Sequence, residues 1–124
     1  MKKQEKGQSL IEVLAALAVV VIVILALITI TTISIRNATF AKNQSLATSY
    51  AQELIEEARD LRDSDKETFF TENFCDWNDI VSPFQLVRDC TLVGGDKMQV
   101  LVTVTWTDAK GDHKSELYTE LTRW

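Results

Sequence analysis

The sequence holds few of the residues that build catalytic or metal-binding sites. Its 124 residues include one histidine, two cysteines, one proline and four glycines. It has no supported Ser/His/Asp set, no glycine-rich phosphate loop, no HExxH and no aspartate ladder for calcium. The two cysteines do not form a C-x-x-C pair, so no metal-ligand cluster competes for them. We therefore expect no enzymatic activity, no metal site and no cofactor.

Charge is missing from a long stretch near the N-terminus. Residues 13–28 are 16 apolar residues without a break, and only Thr and Ser interrupt the run onward to Ile35, so 23 uncharged residues follow Glu12. As a helix, at about 1.5 Å per residue, this stretch is about 34 Å long and can cross a hydrocarbon core of about 30 Å. We expect residues 8–35 to form a single transmembrane helix.

The residues before this helix predict its orientation. Lys2, Lys3 and Lys6 outweigh Glu5, and the positive-inside rule then leaves the N-terminus in the cytoplasm and sends the C-terminal part across the membrane. A cleaved secretory signal has a shorter apolar core of about 7 to 15 residues. It remains an alternative, as does a plain membrane anchor.

Glu12 stands at the leading edge of the apolar run. A charge at this depth in a membrane costs a few kcal/mol even on lenient insertion scales, roughly 2.5–3.5 kcal/mol at the centre of a helix. A lone carboxylate in this position therefore indicates a specific partner of opposite charge.

The residues around Glu12 carry a family resemblance. The segment Gly7-Gln8-Ser9-Leu10-Ile11-Glu12-Val13-Leu14-Ala15-Ala16-Leu17-Ala18 resembles the N-terminal signature of type IV prepilins and the related type II secretion pseudopilins, in particular the small minor pilins. The resemblance implies that a prepilin peptidase removes a leader of residues 1–7 by cutting after Gly7, and methylates the new amine on Gln8. It also implies that Glu12 pairs with the N-terminal amine of a neighbouring subunit. The family usually begins its mature chain with Phe or another hydrophobic residue, whereas this chain has Gln8.

Residues 36–62 lack glycine and proline and continue the helical pattern in amphipathic form. One narrow apolar stripe recurs at helical spacing and consists of Ala47, Ala51, Leu54, Ala58 and Leu61. We expect one helix from about Ser9 to Leu61. The stripe is interpreted mainly as the inner face of a small core, with a subunit contact in a filament as the alternative.

The remaining residues, 63–124, predict a small extracytoplasmic head. Residues 63–83 have no steady period and are interpreted as a loop folded against the head, with an aromatic cluster of Phe69, Phe70, Phe74 and Trp77 that packs in the core or forms a ligand patch. Residues 84–92, 99–107 and 115–122 have strand character, with turns at 94–96 and 108–112. The C-terminal strand pattern also looks like the end of minor pilins.

Cys75 and Cys90 both lie in the part predicted to cross the membrane. An even number of cysteines in an oxidising compartment predicts one disulfide. Two unpaired buried thiols remain the alternative, because the compartment is inferred from topology alone.

The fold expected from these patterns is α+β and pilin-like, with a long N-terminal helix, transmembrane in its first half, packed on an antiparallel sheet of three to four strands. Residues 36–124 contain 10 of the 13 basic residues and 16 of the 18 acidic residues. This part of the chain is acidic, so we expect no nucleic-acid binding by the head.

We interpret the chain as a minor-pilin-like structural subunit of a type IV pilus. Its expected partners are the prepilin peptidase, other pilin subunits, the pilus assembly platform and the cell membrane. The alternatives are a pseudopilin of a type II secretion or DNA-uptake system and a membrane-anchored binding module that does not polymerise. The expected location is the cell membrane, followed by an extracellular pilus or a periplasmic pseudopilus.

Overall fold

The computed structural model describes residues 2–124, with side chains from Gly7 onward, so the predicted leader before Gly7 lies outside the fully described residues. The elements in chain order are α1 (Lys2–Ser64), α2 (Lys66–Phe69), β1 (Trp77–Val81), β2 (Phe84–Val93), β3 (Lys97–Asp108) and β4 (Gly111–Thr122). The chain divides into two compact units, Met1–Ala41 and Lys42–Trp124.

The first unit is the N-terminal part of α1. Every described side chain from Gly7 to Thr39 is exposed, as expected for a helix whose apolar surface meets lipid or other helices rather than its own chain. Within the described residues, one helix, Gly7–Ser64, is long and apolar enough to cross a membrane by length and composition.

The second unit joins the C-terminal part of α1 to the sheet. The helix buries Ala47, Ala51, Leu54 and Ala58, the members of the predicted stripe, while Leu61 is half-buried. The sheet is antiparallel, and the expected α+β architecture of a helix packed on an antiparallel sheet is confirmed. The stripe is the inner face of the core.

The sheet has four antiparallel strands in the order β1-β2-β3-β4, each joined to the next along the chain. Its inner face comes from alternate residues, as the period-two pattern predicts. On β3 this row is fully buried and consists of Met98, Val100, Val102, Val104 and Trp106. The matching row of β4 is only half-buried from His113 to Thr119.

Residues 63–83 differ from the predicted loop. They contain α2, whose N-cap Asp65 accepts a hydrogen bond from the backbone N–H of Thr68 at 3.2 Å, and strand β1. Every residue of β1 is exposed. Its sequence therefore has no alternation of apolar and polar residues that would have predicted a strand. Phe69 and Phe70 are buried as core residues, whereas Phe74 and Trp77 are partly exposed.

Candidate assembly site

Glu12 is the only ionisable residue between Gly7 and Ile35. It lies on α1 and its side chain is exposed, as are its apolar neighbours Ile11 and Val13. Gln8 precedes it by four residues, which is about one helical turn, so both positions lie on one face of the helix. This face therefore presents an isolated carboxylate within an apolar surface.

Three threonines of the apolar segment have hydrogen-bond partners within the helix. The hydroxyls of Thr29, Thr31 and Thr32 donate to backbone carbonyls four residues earlier, at 2.9, 2.8 and 2.9 Å. Such bonds satisfy a hydroxyl without water, which makes these threonines compatible with an apolar environment. A backbone carbonyl cannot serve the carboxylate of Glu12 in this way, because an anion that leaves water needs a positively charged hydrogen-bond donor.

Gly7 has no structural role that the fold explains. It lies inside α1, where glycine costs roughly 1 kcal/mol relative to alanine. A Cβ at this position would meet nothing within 4 Å, and the backbone is not in the left-handed region. Neither packing nor backbone conformation therefore requires glycine at position 7.

The head contains one buried charged side chain, Arg88 on β2, which is 3% exposed. Its Nε donates to the carbonyl of Cys75 at 2.8 Å, and its Nη1 donates to the carbonyl of Leu54 at 3.0 Å and to Glu57 Oε2 at 3.2 Å. The guanidinium also lies over the ring of Trp77 at 5.9 Å. Arg88 therefore ties α1, the cysteine segment and the sheet together.

Cys75 and Cys90 form a disulfide in the structure, with a Cα–Cα distance of 5.7 Å across a sequence separation of 15. Both side chains are buried. Beside this bond, the backbone N–H of Cys90 donates to Asp76 Oδ1 at 2.7 Å. The β1–β2 pairing ends at Trp77 and Arg88, so Asp76 supplies the acceptor that β1 does not reach.

Polar side-chain pairs lie at the two ends of the β3–β4 ladder. Asp108 Oδ1 lies 2.9 Å from His113 Nε2 and accepts from the N–H of Lys110 at 2.7 Å. The hydrogen bond to His113, followed by that to Lys110, lowers the pKa of the Asp108 carboxyl. At the other end, hydrogen bonds from Gln99 and Tyr118 lower the pKa of Glu120. These contacts stabilise the β3–β4 hairpin.

The structure thus separates the predicted site residues into two groups. Gly7, Gln8 and Glu12 share one stretch of α1, and Cys75 and Cys90 meet in the head. Among the residues with described side chains, no group of three or more His, Cys, Asp or Glu side chains could hold a metal ion.

Sequence reasoning missed Arg88. Its position between Leu86 and Cys90 in a period-two strand was a signal that it points inward, since both neighbours in that alternation are buried. Its acceptors, the carbonyls of Leu54 and Cys75, lie 34 and 13 residues away in sequence, so the pattern alone did not identify them.

The comparisons with known proteins add one finding. Residues 2–28 match the family model described as the prokaryotic N-terminal methylation motif, the signature of type IV prepilins. No curated protein and no solved structure matches the chain. The motif and the apolar helix indicate a single-pass membrane anchor, and proteins with this signature are structural rather than enzymatic. Together with the α+β fold of a long helix packed on an antiparallel sheet, the motif supports a type IV pilin-like or pseudopilin protein.

Proposed function

We propose that this chain is a minor-pilin-like structural subunit of a type IV pilus, without catalytic activity of its own. The observation that carries the proposal is the methylation motif over residues 2–28, which places a glycine five residues before Glu12 at the start of a membrane-length helix. The absence of any packing or backbone reason for Gly7 supports a role in recognition by a peptidase.

Processing is the first step of the proposed mechanism. Prepilin peptidase cuts between Gly7 and Gln8 and methylates the amine of Gln8. The lysine-rich leader holds the N-terminus in the cytoplasm before the cut, and the head lies on the other side of the membrane. The disulfide between Cys75 and Cys90 supports this orientation, because such bonds persist in oxidising compartments.

Assembly is the second step, and it depends on Glu12. In a low-dielectric environment an unpaired carboxylate is strongly disfavoured, and the cleaved N-terminus of a neighbouring subunit supplies a positive charge. Before cleavage that amine does not exist at the edge of the apolar segment, so removal of residues 1–7 acts as the switch. The assembly platform then moves the subunit from the membrane into a filament whose core is formed by the apolar helices.

The second candidate is a pseudopilin of a type II secretion or DNA-uptake system. It is favoured by the same motif, which both classes share. Deletion of the gene that encodes this chain distinguishes the two candidates. Loss of surface filaments or adhesion supports the pilus, whereas loss of protein secretion or of transformation supports the pseudopilus. A tethered binding module that never polymerises would keep its leader.

The test of the proposal is the N-terminal mass of the protein from native cells with and without prepilin peptidase. We expect a chain that begins at methylated Gln8 in the first case and at Met1 in the second. A chain that begins at Met1 in both, or beyond Ile35, would overturn the proposal.

Assembly is tested with Glu12→Val, which we expect to insert and be cleaved normally but to be lost from filaments, because it removes the carboxylate. Thr29→Val is the matched control, since it also makes one position of the same helix apolar but removes only a hydroxyl with an internal partner. Normal incorporation of Glu12→Val would refute the pairing of carboxylate and amine.

A further inference from the structure

The two edges of the sheet differ in a way that fits a second copy of the chain. Strand β4 forms one edge and pairs with β3 at every position from Gly111 to Thr122, without a bulge. Strand β1 forms the other edge and pairs only with β2 among the described residues. An edge strand presents unpaired backbone N–H and C=O groups that another strand can bind.

The directions of the two edge strands limit the ways in which two copies can pair. In a four-stranded antiparallel sheet, β1 and β4 run in opposite directions, so β1 of one copy can pair antiparallel with β4 of the next while both heads keep the same orientation. Antiparallel pairing of two identical edges instead requires a twofold axis through the sheet and reverses the helix of one copy. Our proposed function needs subunits whose helices run in the same direction. The pairing of β1 of one copy with β4 of the next meets this need, whereas the pairing of two identical edges does not.

The backbone groups available at each edge are in matching phase. Two-residue turns close both hairpins, at the pairs Val81–Phe84 and Asp108–Gly111, and the closing pair of such a turn is hydrogen-bonded. Counting from these pairs, Ile80 on β1 and Tyr118 on β4 direct their N–H and C=O groups away from the sheet. The Ile80 N–H accordingly binds the side chain of Asp79 at 2.8 Å and no neighbouring strand.

Exposed apolar side chains lie on both edges. Ile80 is 70% exposed, Trp77 is 36% exposed and Tyr118 is 53% exposed. Ile80 and Tyr118 lie on the outer face, since they pair with Gln85 and Leu101 outside the buried rows, whereas Trp77 is on the inner face opposite Arg88. Apolar groups of this kind on strand edges gain by being covered by a cross-strand partner.

One register matches these side chains. With Ile80 opposite Tyr118, the antiparallel pairs between β1 and the next copy's β4 become Trp77–Leu121, Asn78–Glu120, Asp79–Thr119, Ile80–Tyr118 and Val81–Leu117. Every apolar residue of β1 then faces an apolar residue, and each polar residue faces a group that can hydrogen-bond to it. In the register shifted by two residues toward the β3–β4 turn, Asp79 faces Leu117. In the register shifted by four, Ile80 faces Lys114.

We infer that the β1 edge of one copy pairs with the β4 edge of the next, with Ile80 opposite Tyr118. This inference rests on the proposed function. Across one sheet, Ile80 is level with Gln85, Thr105 and Lys114, so a neighbour without stagger would place Ile80 opposite Lys114. Pairing with Tyr118 is four residues away from that register, which corresponds to a shift of about 13 Å along the strands. A contact of this heterologous type joins each copy to the next in the same sense, and it produces an open helical array when the rotation between copies does not close into a ring.

The experiment uses two full-length copies with different tags, co-expressed in native cells that contain prepilin peptidase. One copy carries Ile80→Cys and the other Tyr118→Cys, both at exposed positions, and the cells are treated with a mild oxidant. We expect a mixed-tag band at about twice the mass of the chain, enriched in the filament or pseudopilus fraction. Each variant alone and Ile80→Cys with Lys114→Cys are the controls, and we expect no such band from them.

The outcomes separate the inference from the proposed function. Processed chains that enter filaments without forming the Ile80–Tyr118 bridge overturn the inference and leave the function standing. A bridge to Lys114→Cys in place of Tyr118→Cys also overturns it, because the register is then unstaggered. Chains that keep residues 1–7 and stay in the membrane overturn the proposed function and the inference with it.

Discussion

Replacing the buried Arg88 by methionine tests whether its hydrogen bonds hold the head together. The substitution keeps an unbranched apolar side chain in the core but removes the donor to the Cys75 carbonyl at 2.8 Å. The Leu54 carbonyl remains within α1 and keeps its helical partner, and Glu57, 56% exposed at its side chain, returns to water. The main loss is therefore one buried carbonyl without a donor, which costs about 1–3 kcal/mol.

Arg88→Ala is expected to cost more, about 3–5 kcal/mol, because the loss of the side-chain stem adds a cavity to the loss of the donor. A domain of roughly 80 residues has about 4–12 kcal/mol of stability in total, so this variant lies close to the unfolding threshold. Glu57→Gln is the matched control and should cost less than about 1 kcal/mol, since the pair it breaks is exposed on one side.

The assay is urea denaturation of the full-length protein in detergent micelles, followed by tryptophan fluorescence. Trp106 is 2% exposed, so its emission reports unfolding of the head while the apolar helix stays in the micelle. A loss below about 0.5 kcal/mol for Arg88→Met, or a loss for Glu57→Gln equal to that of Arg88→Met, would refute the reasoning that the buried donor stabilises the head.

Three further predictions concern the same domain. Replacing Cys75 and Cys90 together by serine should lower the free energy of unfolding by about 3 kcal/mol, because the bond closes a loop of 15 residues; the untreated and reduced native protein should differ by the same amount, and no difference would contradict the prediction. Ala51→Leu should destabilise the head by about 1–3 kcal/mol, since Ala51 is 1% exposed and the added atoms must displace its neighbours; an unchanged urea midpoint would count against close packing of α1. The lowered pKa of Asp108, due mainly to its hydrogen bond with His113, means that this carboxylate stabilises the fold above about pH 4 and loses that effect as the pH falls through its folded-state pKa. The thermal unfolding midpoint of Asp108→Asn should therefore fall less than that of the native protein between about pH 5 and pH 2.5. Equal falls of the two midpoints would contradict this prediction.

The sequence predicted those parts of the fold whose signals repeat over many residues. The period-two row from Val100 to Trp106 identified β3, and the small residues from Ala47 to Ala58 identified the face of α1 that covers it. The turn at Gly94 and Gly95 was predicted from residue type, and both have positive φ, 66° and 78°, which glycine adopts without strain.

Strand β1 was not predicted because its formation depends on β2. All five of its residues are exposed, so no alternation of buried and exposed residues distinguishes it from a loop. Its order comes from backbone pairing with Phe84 through Arg88 and from the attachment of Cys75 just before it. Such stabilisation is non-local, and residue type alone carries little of it.

The candidate assembly site was predictable for a different reason. Gly7, Gln8 and Glu12 lie within six positions on one helix, so their spacing in sequence is also their spacing in space. Arg88 is the opposite case, because its three acceptors come from two other segments. A signature confined to one helix can be recognised in a single sequence, whereas a contact between distant segments needs the fold.

This difference has a consequence for experiments. The Arg88 hydrogen bonds and the disulfide, which stabilise the head, lie within residues 42–124, whereas Glu12 has its proposed partner on another subunit. Substitution of Glu12 should then abolish assembly without changing the urea midpoint of the head, and substitution of Arg88 should change that midpoint without changing cleavage after Gly7. If Glu12→Val lowered the stability of the head, the loss of assembly would reflect misfolding, and the proposed pairing of carboxylate and amine would lose its support.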